Sequence, residues 1–423
     1  MSAPSQPVSL RRGLMTPGVV VLACIALTGL VAGLYRFVFG LGAATNLSDQ
    51  YPWGLWIGVD VASGVALAAG GFTSAAVAHI FHRNRYEALV RPALLTAMLG
   101  YTFVVLGLLA DLGRYYNIWH PMLPGMWQGN SVLFEVAMCV MVYLNVLYIE
   151  FMPLVCERFI GRVSLPGRLK ALNGTVDAAL RLAQGTLAKF MFLFIVAGVV
   201  LSCMHQSSLG SLLLIAPYKM SPLWYTPVLP LMFLLSAMAG GFAMVIFESL
   251  LSSWTFERKP ETKLLFRYRR FLVLFLGIYG VARFTDLMIR DAWGGAFAGT
   301  GTSLMFLAEI GLGVVLPFVL LLNARLCRTR AGLLAVSGLV VGGVLLNRIN
   351  VFLVAYKPPY AQGAYFPSAS EILVTSGLVA ALVLAYRVCV TVFPVLPVEE
   401  HEMAEEAECA ERPCPAEAEP YVS

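Results

Sequence analysis

Eight ionisable side chains fall inside long apolar runs of this chain, at a similar depth below one end of them. Asp60, Asp111, Glu135 and His205 lie in the second to fifth runs, and Arg283, Asp286, Glu309 and Arg348 in the seventh to ninth. Charged groups in a bilayer core are costly and mark a route for a substrate, an ion or a proton. Carboxylates and a histidine at such depth take up or release protons according to their neighbours.

Counted from the outer end of each run, Asp60 is about six residues down, Glu135 about four and His205 about nine. At ~1.5 Å per residue all three lie within roughly 15 Å of that surface, with Asp111 at its rim. Their convergence on one pocket would suit a quinone head group. Such a ring needs a hydrogen-bond partner at each carbonyl, groups that exchange its protons, and an apolar lane for its tail. His205 can bond one oxygen in either redox state and pass a proton to Asp111 or Asp60. Trp53, Trp56, Tyr115, Tyr116 and Trp119 either wall the mouth or form an interfacial aromatic belt.

The elements that must position these residues are membrane spans. The chain is 59% hydrophobic and 13% charged, with a mean hydropathy of +0.78, values foreign to a soluble domain. Apolar runs at about 17–40, 54–81, 92–113, 131–156, 187–214, 225–251, 268–289, 302–325, 331–354 and 371–393 are each long enough to cross a core of roughly 30 Å. An all-α integral membrane protein of ten transmembrane helices is expected.

Most of the 29 basic residues fall in alternate connections. The positive-inside rule therefore puts both termini of this multi-pass chain in the cytoplasm; the expected location is a bacterial inner membrane. The net charge of +5 reflects that topology and gives no reason to propose nucleic acid. Arg11 and Arg12 precede an apolar run that is too long for a signal h-region. The stretch from Glu399 to Ser423 is acidic and poor in apolar residues, and is expected to be a disordered tail.

Residue counts bear on cofactors. Of the five histidines only His205 lies well inside a run; His79 and His82 sit at the end of the second, His120 is in an outer connection and His401 in the tail. A bis-histidine b haem is not expected. The eight cysteines show no CxxC or CxxCH spacing, so neither an iron–sulfur cluster nor a c-type haem is assigned to this chain, and Cys409 and Cys414 read as idle thiols.

Compared in order, the runs repeat. The third ends Asp111-Leu-Gly-Arg114 and the seventh Arg283-Phe-Thr-Asp286, each shortly before an outer aromatic; the fourth carries Glu135 and the eighth Glu309 below the outer surface; the fifth closes on His205 and the ninth on Arg348. Helices 2–5 and 6–9 thus read as two parallel-repeat four-helix bundles flanked by helices 1 and 10. The expected divisions are 1–16, 17–53, 54–214 with the quinone site, 215–354, 355–396 and the tail 397–423.

Pro52-Trp-Gly-Leu-Trp-Ile-Gly-Val-Asp60, Leu112-Gly-Arg-Tyr-Tyr-Asn117, Asn130-Ser-Val-Leu-Phe-Glu135, Met204-His-Gln-Ser-Ser-Leu-Gly-Ser-Leu212, Pro222-Leu-Trp224 and Val245-Ile-Phe-Glu248 closely resemble the HybB-type branch of the NrfD/polysulfide-reductase membrane-subunit family. The likeness runs from about residue 15 to residue 397 and leaves out the acidic tail. It implies a cofactor-free ten-helix subunit that binds menaquinone or ubiquinone near the periplasmic face, beneath a ferredoxin-like iron–sulfur protein. The catalytic partner it implies is a nickel–iron hydrogenase, with its large and small subunits, or else a molybdopterin-type protein or multihaem cytochrome c.

Energy coupling would need a polar path across the membrane. Tyr143, Asn145, Glu150 and Glu157 descend the fourth helix below Glu135, as a wire or as packing polars with an ordinary charge at the rim. Arg283, Asp286, Glu309 and Arg348 read equally as a second half-channel or as a buried ion network that fixes helix register. Arg114 either clamps Asp111 or docks a partner, and Glu248 is placed where a side chain can snorkel. A secondary transporter or proton channel, the reading from another class, predicts inverted halves and helices broken at mid-membrane. The runs lack such a matched break.

Overall fold

A computed structural model describes residues 15–164, 166–259, 261–361 and 363–396. The first fourteen residues and the tail 397–423, with His401, Cys409 and Cys414, lie outside the described residues. Ten helices are long and apolar enough to cross a bilayer: α1 (Pro17–Phe39), α2 (Trp56–Ile80), α3 (Arg85–Asp111), α4 (Val132–Phe159), α5 (Lys170–Ile215), α6 (Leu229–Thr255), α7 (Thr262–Ile289), α8 (Gly301–Leu322), α9 (Arg330–Val354) and α10 (Ala369–Val392). The end at which α2 begins is called outer, following the orientation expected from charge. No strand occurs among the described residues; one isolated bridge, Met220 to Tyr356, ties two outer connections.

Local sequence starts several of these helices. The hydroxyls of Ser131, Thr300 and Thr329 accept the first free N–H groups of α4, α8 and α9. Ser368 and Glu371 form a reciprocal capping box on α10. Prolines sit in the first turns of α1 and α6, where no helical N–H is lost. Wide π turns interrupt α2 at Trp56–Ser63, α8 at Gly311–Val315 and α9 at Asn350–Val354. Asp60, Glu309 and Arg348 lie in or beside these turns, where the distorted ladder re-aims side chains.

Most spans begin and end within a few residues of the apolar runs. α5 does not. Its α-helical part starts at Asn173 rather than near residue 187, because apolarity marks only the part that meets lipid while hydrogen bonding carries the helix on. The α4–α5 hairpin is closed at its inner tip by Asp177, which accepts from the Gly161 N–H at 2.5 Å and from Arg181 Nε at 2.8 Å.

α2, α3, α4 and α5 pack in sequence, and α6, α7, α8 and α9 close a second ring. α6 touches α2 and α5 as well as α7 and α9, so it joins the two groups. Backbones of α2 and α6 nearly touch: a Cβ on Gly241 would lie 2.7 Å from the Ala69 carbonyl carbon. α1 and α10 pair against α3 on the flank. Apolar side chains such as Leu27, Val31, Phe192, Leu193 and Val281 face outward, as a lipid-facing surface requires.

Candidate functional site

The expected site residues form two outer groups in the first helix set, not one. In the first group, Asp60 on α2 packs against Gly107 of α3 and accepts from the Thr375 hydroxyl of α10 at 2.6 Å. Asp111, at the end of α3, lies where the charges of Arg36, Asp60 and Glu371 act on it, and its Oδ1 is buried without a described partner. Arg36 of α1 is 1% exposed and spends its donors on the end of α3, giving 2.5 Å bonds to the Ala110 and Leu112 carbonyls. It does what a cation does at a helix C-terminus.

Glu371 of α10 receives the Tyr365 hydroxyl and the backbone N–H groups of Asn46 and Ser368. Burial and the neighbouring Glu371 charge push the Tyr365 hydroxyl pKa well up. Tyr365 lies in the connection before α10 and stays a neutral donor. Trp56 does not wall a mouth: it is fully buried, its Nε1 donating to the Glu371 carbonyl at 3.2 Å. Tyr115 packs edge-on to Phe37 and faces the Arg36 guanidinium. Arg114 is exposed at the outer surface.

The second group lies deeper along α3. His205 is wholly buried on α5, its Nδ1 3.2 Å from the Tyr101 hydroxyl of α3, while its Nε2 has no described partner. Tyr101 stacks edge-on against Tyr143 of α4. One turn from His205, Ser208 donates to Glu135 Oε1 at 2.5 Å, joining α5 to α4. Gln206 donates to the Val65 carbonyl of α2 at 2.8 Å. No described hydrogen bond links His205 to Asp60 or Asp111. Gly107 and Tyr101 are six positions apart on α3, so the carboxylates sit about 9 Å nearer the outer end.

Below this group the polar line continues on one face of α4. The Tyr143 ring and the Glu150 carboxylate both close on Gly198 of α5, where an added Cβ would lie 2.7 Å from Glu150 Oε1. Glu157 then pairs with Arg91 at 3.0 Å near the inner end. Asn145 stands apart from this line: it is exposed, and its amide donates to Met141 on its own helix.

In the second helix set Glu309 is 1% exposed and accepts from Trp224 Nε1 at 2.8 Å and from the amides of Asn347 and Asn350 at 2.7 Å each. Arg348 donates to Asn347, Ser236 and the Phe233 carbonyl and lies over the Phe233 ring. Asp286 pairs with Arg290 at 2.6 Å and accepts from Thr226, whereas Arg283 turns to the Leu223 carbonyl. Beneath Glu309 a cavity of about 10 Å³ is bounded by Ser236, Tyr279, Gly313, Gly343 and Asn347, room for about one water.

Several partners were not picked out from sequence: Thr375, Glu371 and Tyr365 around the carboxylates, and Tyr101 beside His205. Glu371 carried a usable signal, an acid at the head of an apolar run. Glu248 does not snorkel; it is 8% exposed, near Thr96, Ser252 and Tyr386 between α3, α6 and α10, and its Oε1 has no described partner.

The chain as a whole is similar to known proteins. The family model described as "Polysulphide reductase, NrfD" matches residues 43–357. The chain belongs to the NrfD family. It is 37% identical over 404 residues to the "Probable Ni/Fe-hydrogenase 2 b-type cytochrome subunit" of Escherichia coli (strain K12), covering 94% of this chain and 96% of that one. It is 26% identical to a selenate reductase subunit of Mesobacillus selenatarsenatis, covering 89% and 93%. It is 33% identical over 186 residues to the "Menaquinone reductase, integral membrane subunit" of Nitratidesulfovibrio vulgaris, covering 44% and 40%. This NrfD-family chain is therefore a membrane subunit of the hydrogenase and reductase type.

Proposed function

We propose that this subunit exchanges electrons and protons between the quinone pool and a periplasmic ferredoxin-like iron–sulfur protein, in a complex whose catalytic partner is a nickel–iron hydrogenase. Menaquinone or ubiquinone docks in the outer half of the α2–α5 set. The carrying observation is His205: Tyr101 orients one ring nitrogen while the other, buried, lacks a partner. Buried polar atoms are rarely left so, and a quinone oxygen would complete it. Glu135 and Ser208 stand one turn away to exchange the proton. The relatives named for hydrogenase and menaquinone reductase support the substrate and partner classes.

The chain is proposed to hold no haem or iron–sulfur cluster. His79 and His82 lie at the inner end of α2 and His120 lies in an outer connection, so no second histidine of these faces His205. A bis-histidine haem does not fit, whatever the word cytochrome in a relative's name suggests. The likeness to a selenate reductase subunit favours one second reading, the same quinone module serving a reductase or multihaem cytochrome.

Proton movement to the inner end follows Glu135, Tyr143 and Glu150, which share a face of α4 and close on α5. The Glu309–Arg348 network with its cavity is the second candidate stretch. The test is His205→Ala in the purified complex. Quinone turnover should fall at least a hundredfold while the catalytic partner still reduces a soluble dye; unchanged quinone turnover removes His205 from the site. Tyr101→Phe, which leaves the ring but not the hydroxyl, should lose less.

A further inference from the structure

The α4–α5 hairpin is longer than a bilayer needs. α5 is α-helical from Asn173, about fourteen residues before its apolar part, and so extends roughly 20 Å beyond that part at ~1.5 Å per residue. From residue 158 to residue 189 the chain has six basic residues and one acid, Asp177. That acid is already bound to Gly161 and Arg181. Arg162, Lys170 and Arg181 are exposed on the projecting part, and Lys189 is exposed where it meets the apolar part.

The end of α10 is fastened to this same hairpin. Arg158 Nε donates to the Val392 carbonyl at 2.8 Å, and Phe393 packs edge-on against Phe151 and Phe159. Arg91, paired with Glu157 of α4, donates to the Pro394 carbonyl at 3.1 Å. The described chain leaves from there at Leu396, and residues 397–423 contain nine glutamates and one basic residue, Arg412, the first glutamate being Glu399. Three residues span at most about 10 Å, which puts the basic tip within reach of the first acids. The α6–α7 connection is also basic but contains its own acids, Glu257 and Glu261.

We infer that the acidic segment between Glu399 and Glu411 seats on the basic tip of the α4–α5 hairpin of its own chain. Charge alone holds it there, and it keeps these side chains in preference to anionic headgroups at the lipid boundary. The inference does not depend on which face of the membrane the tip occupies or on quinone chemistry. It makes the tail an internal counter-charge whose hold weakens with salt, since exposed pairs are screened within about 10 Å at 0.1 M ionic strength.

The full chain, in discs of phosphatidylcholine and in discs that also contain phosphatidylglycerol, tests this. Zero-length carbodiimide coupling should join tail glutamates to Lys170 and Lys189. A Glu-specific protease should cut the tail several-fold faster in the Arg162→Gln/Arg181→Gln variant than in the parent, and equally fast in both at molar salt. Links mainly to Lys259 or Lys263, or parent and variant tails cut at the same rate in low salt, overturn the inference. So does release of the parent tail in the anionic discs, which would assign the tip to lipid headgroups.

Discussion

His205 shows how one side chain takes its role from its neighbours. Alone on an apolar helix it would be a packing residue; beside Tyr101 and one turn from the Glu135–Ser208 bond, it has one ring nitrogen oriented and the other open to a hydrogen-bond partner. Gly198 is the complementary case, valuable for what it lacks. An added methyl at this position would lie 2.7 Å from Glu150 Oε1 and crowd Tyr143. Gly198→Ala is expected to push the carboxylate aside and lower proton uptake or release in sealed vesicles more than it lowers quinone turnover, as is Glu150→Gln. Equal losses in the two assays would make this contact purely structural.

At the scale of elements, the Glu309 network ties α8 to α9 and to the connection before α6. Both Glu309 oxygens accept, from three N–H donors in all. Glu309→Ala would strand those donors and leave Arg348 without its nearby counter-charge. Unfolding stability in detergent should fall by about 3 kcal/mol, the usual scale for breaking a buried charged network. Glu309→Gln, which keeps the shape, should lose less. If the glutamate also moves protons, the Gln variant will retain stability and lose vesicle acidification. Gly241→Leu should act differently, prising α2 from α6 and costing about 3 kcal/mol or more by overpacking.

What sequence disclosed belongs largely to this scale. Hydropathy marked all ten spans because lipid imposes the same requirement on each helix independently of its neighbours. It missed the first turns of α5, which stand clear of that requirement. The ionisable residues were visible as exceptions to apolarity, but their partners were not. Asp60 meets Thr375 across 315 positions, and no local pattern encodes which helix lies beside which. Trp56 illustrates the same limit. Its type suggested an interfacial ring, whereas its contact with α10 buries it.

Across the whole molecule, the outer connections are held by a few polar ties between segments distant in sequence. Tyr365 donates to Glu371 and accepts from the Leu55 N–H at 2.9 Å, while Asn46 reaches both Glu371 and the Phe366 carbonyl. Tyr365→Phe is expected to destabilise the outer side by about 1–2 kcal/mol. It should speed amide hydrogen exchange in residues 45–55 and around 366–371 while leaving α6–α9 unchanged; uniform acceleration would mean that the tie supports the entire protein.

The pairing of the first helix with the last also bears on biogenesis. α1 rests chiefly on α10, and Gly29 meets Gly377 so closely that a Cβ on either would lie 2.5 Å from the other's Cα. A ribosome delivers α1 first, yet its berth does not exist until some 340 further residues have been inserted. Arg36 can meet its acceptors at the end of α3 earlier, but until α10 arrives α1 has only that end contact to hold it. Docking of α10 then brings Thr375 and Glu371 to Asp60 and Asp111. Nascent chains that stop short of α10 would leave the Gly29 face of α1 without its matching surface, a mark by which membrane proteases could tell unfinished copies from finished ones.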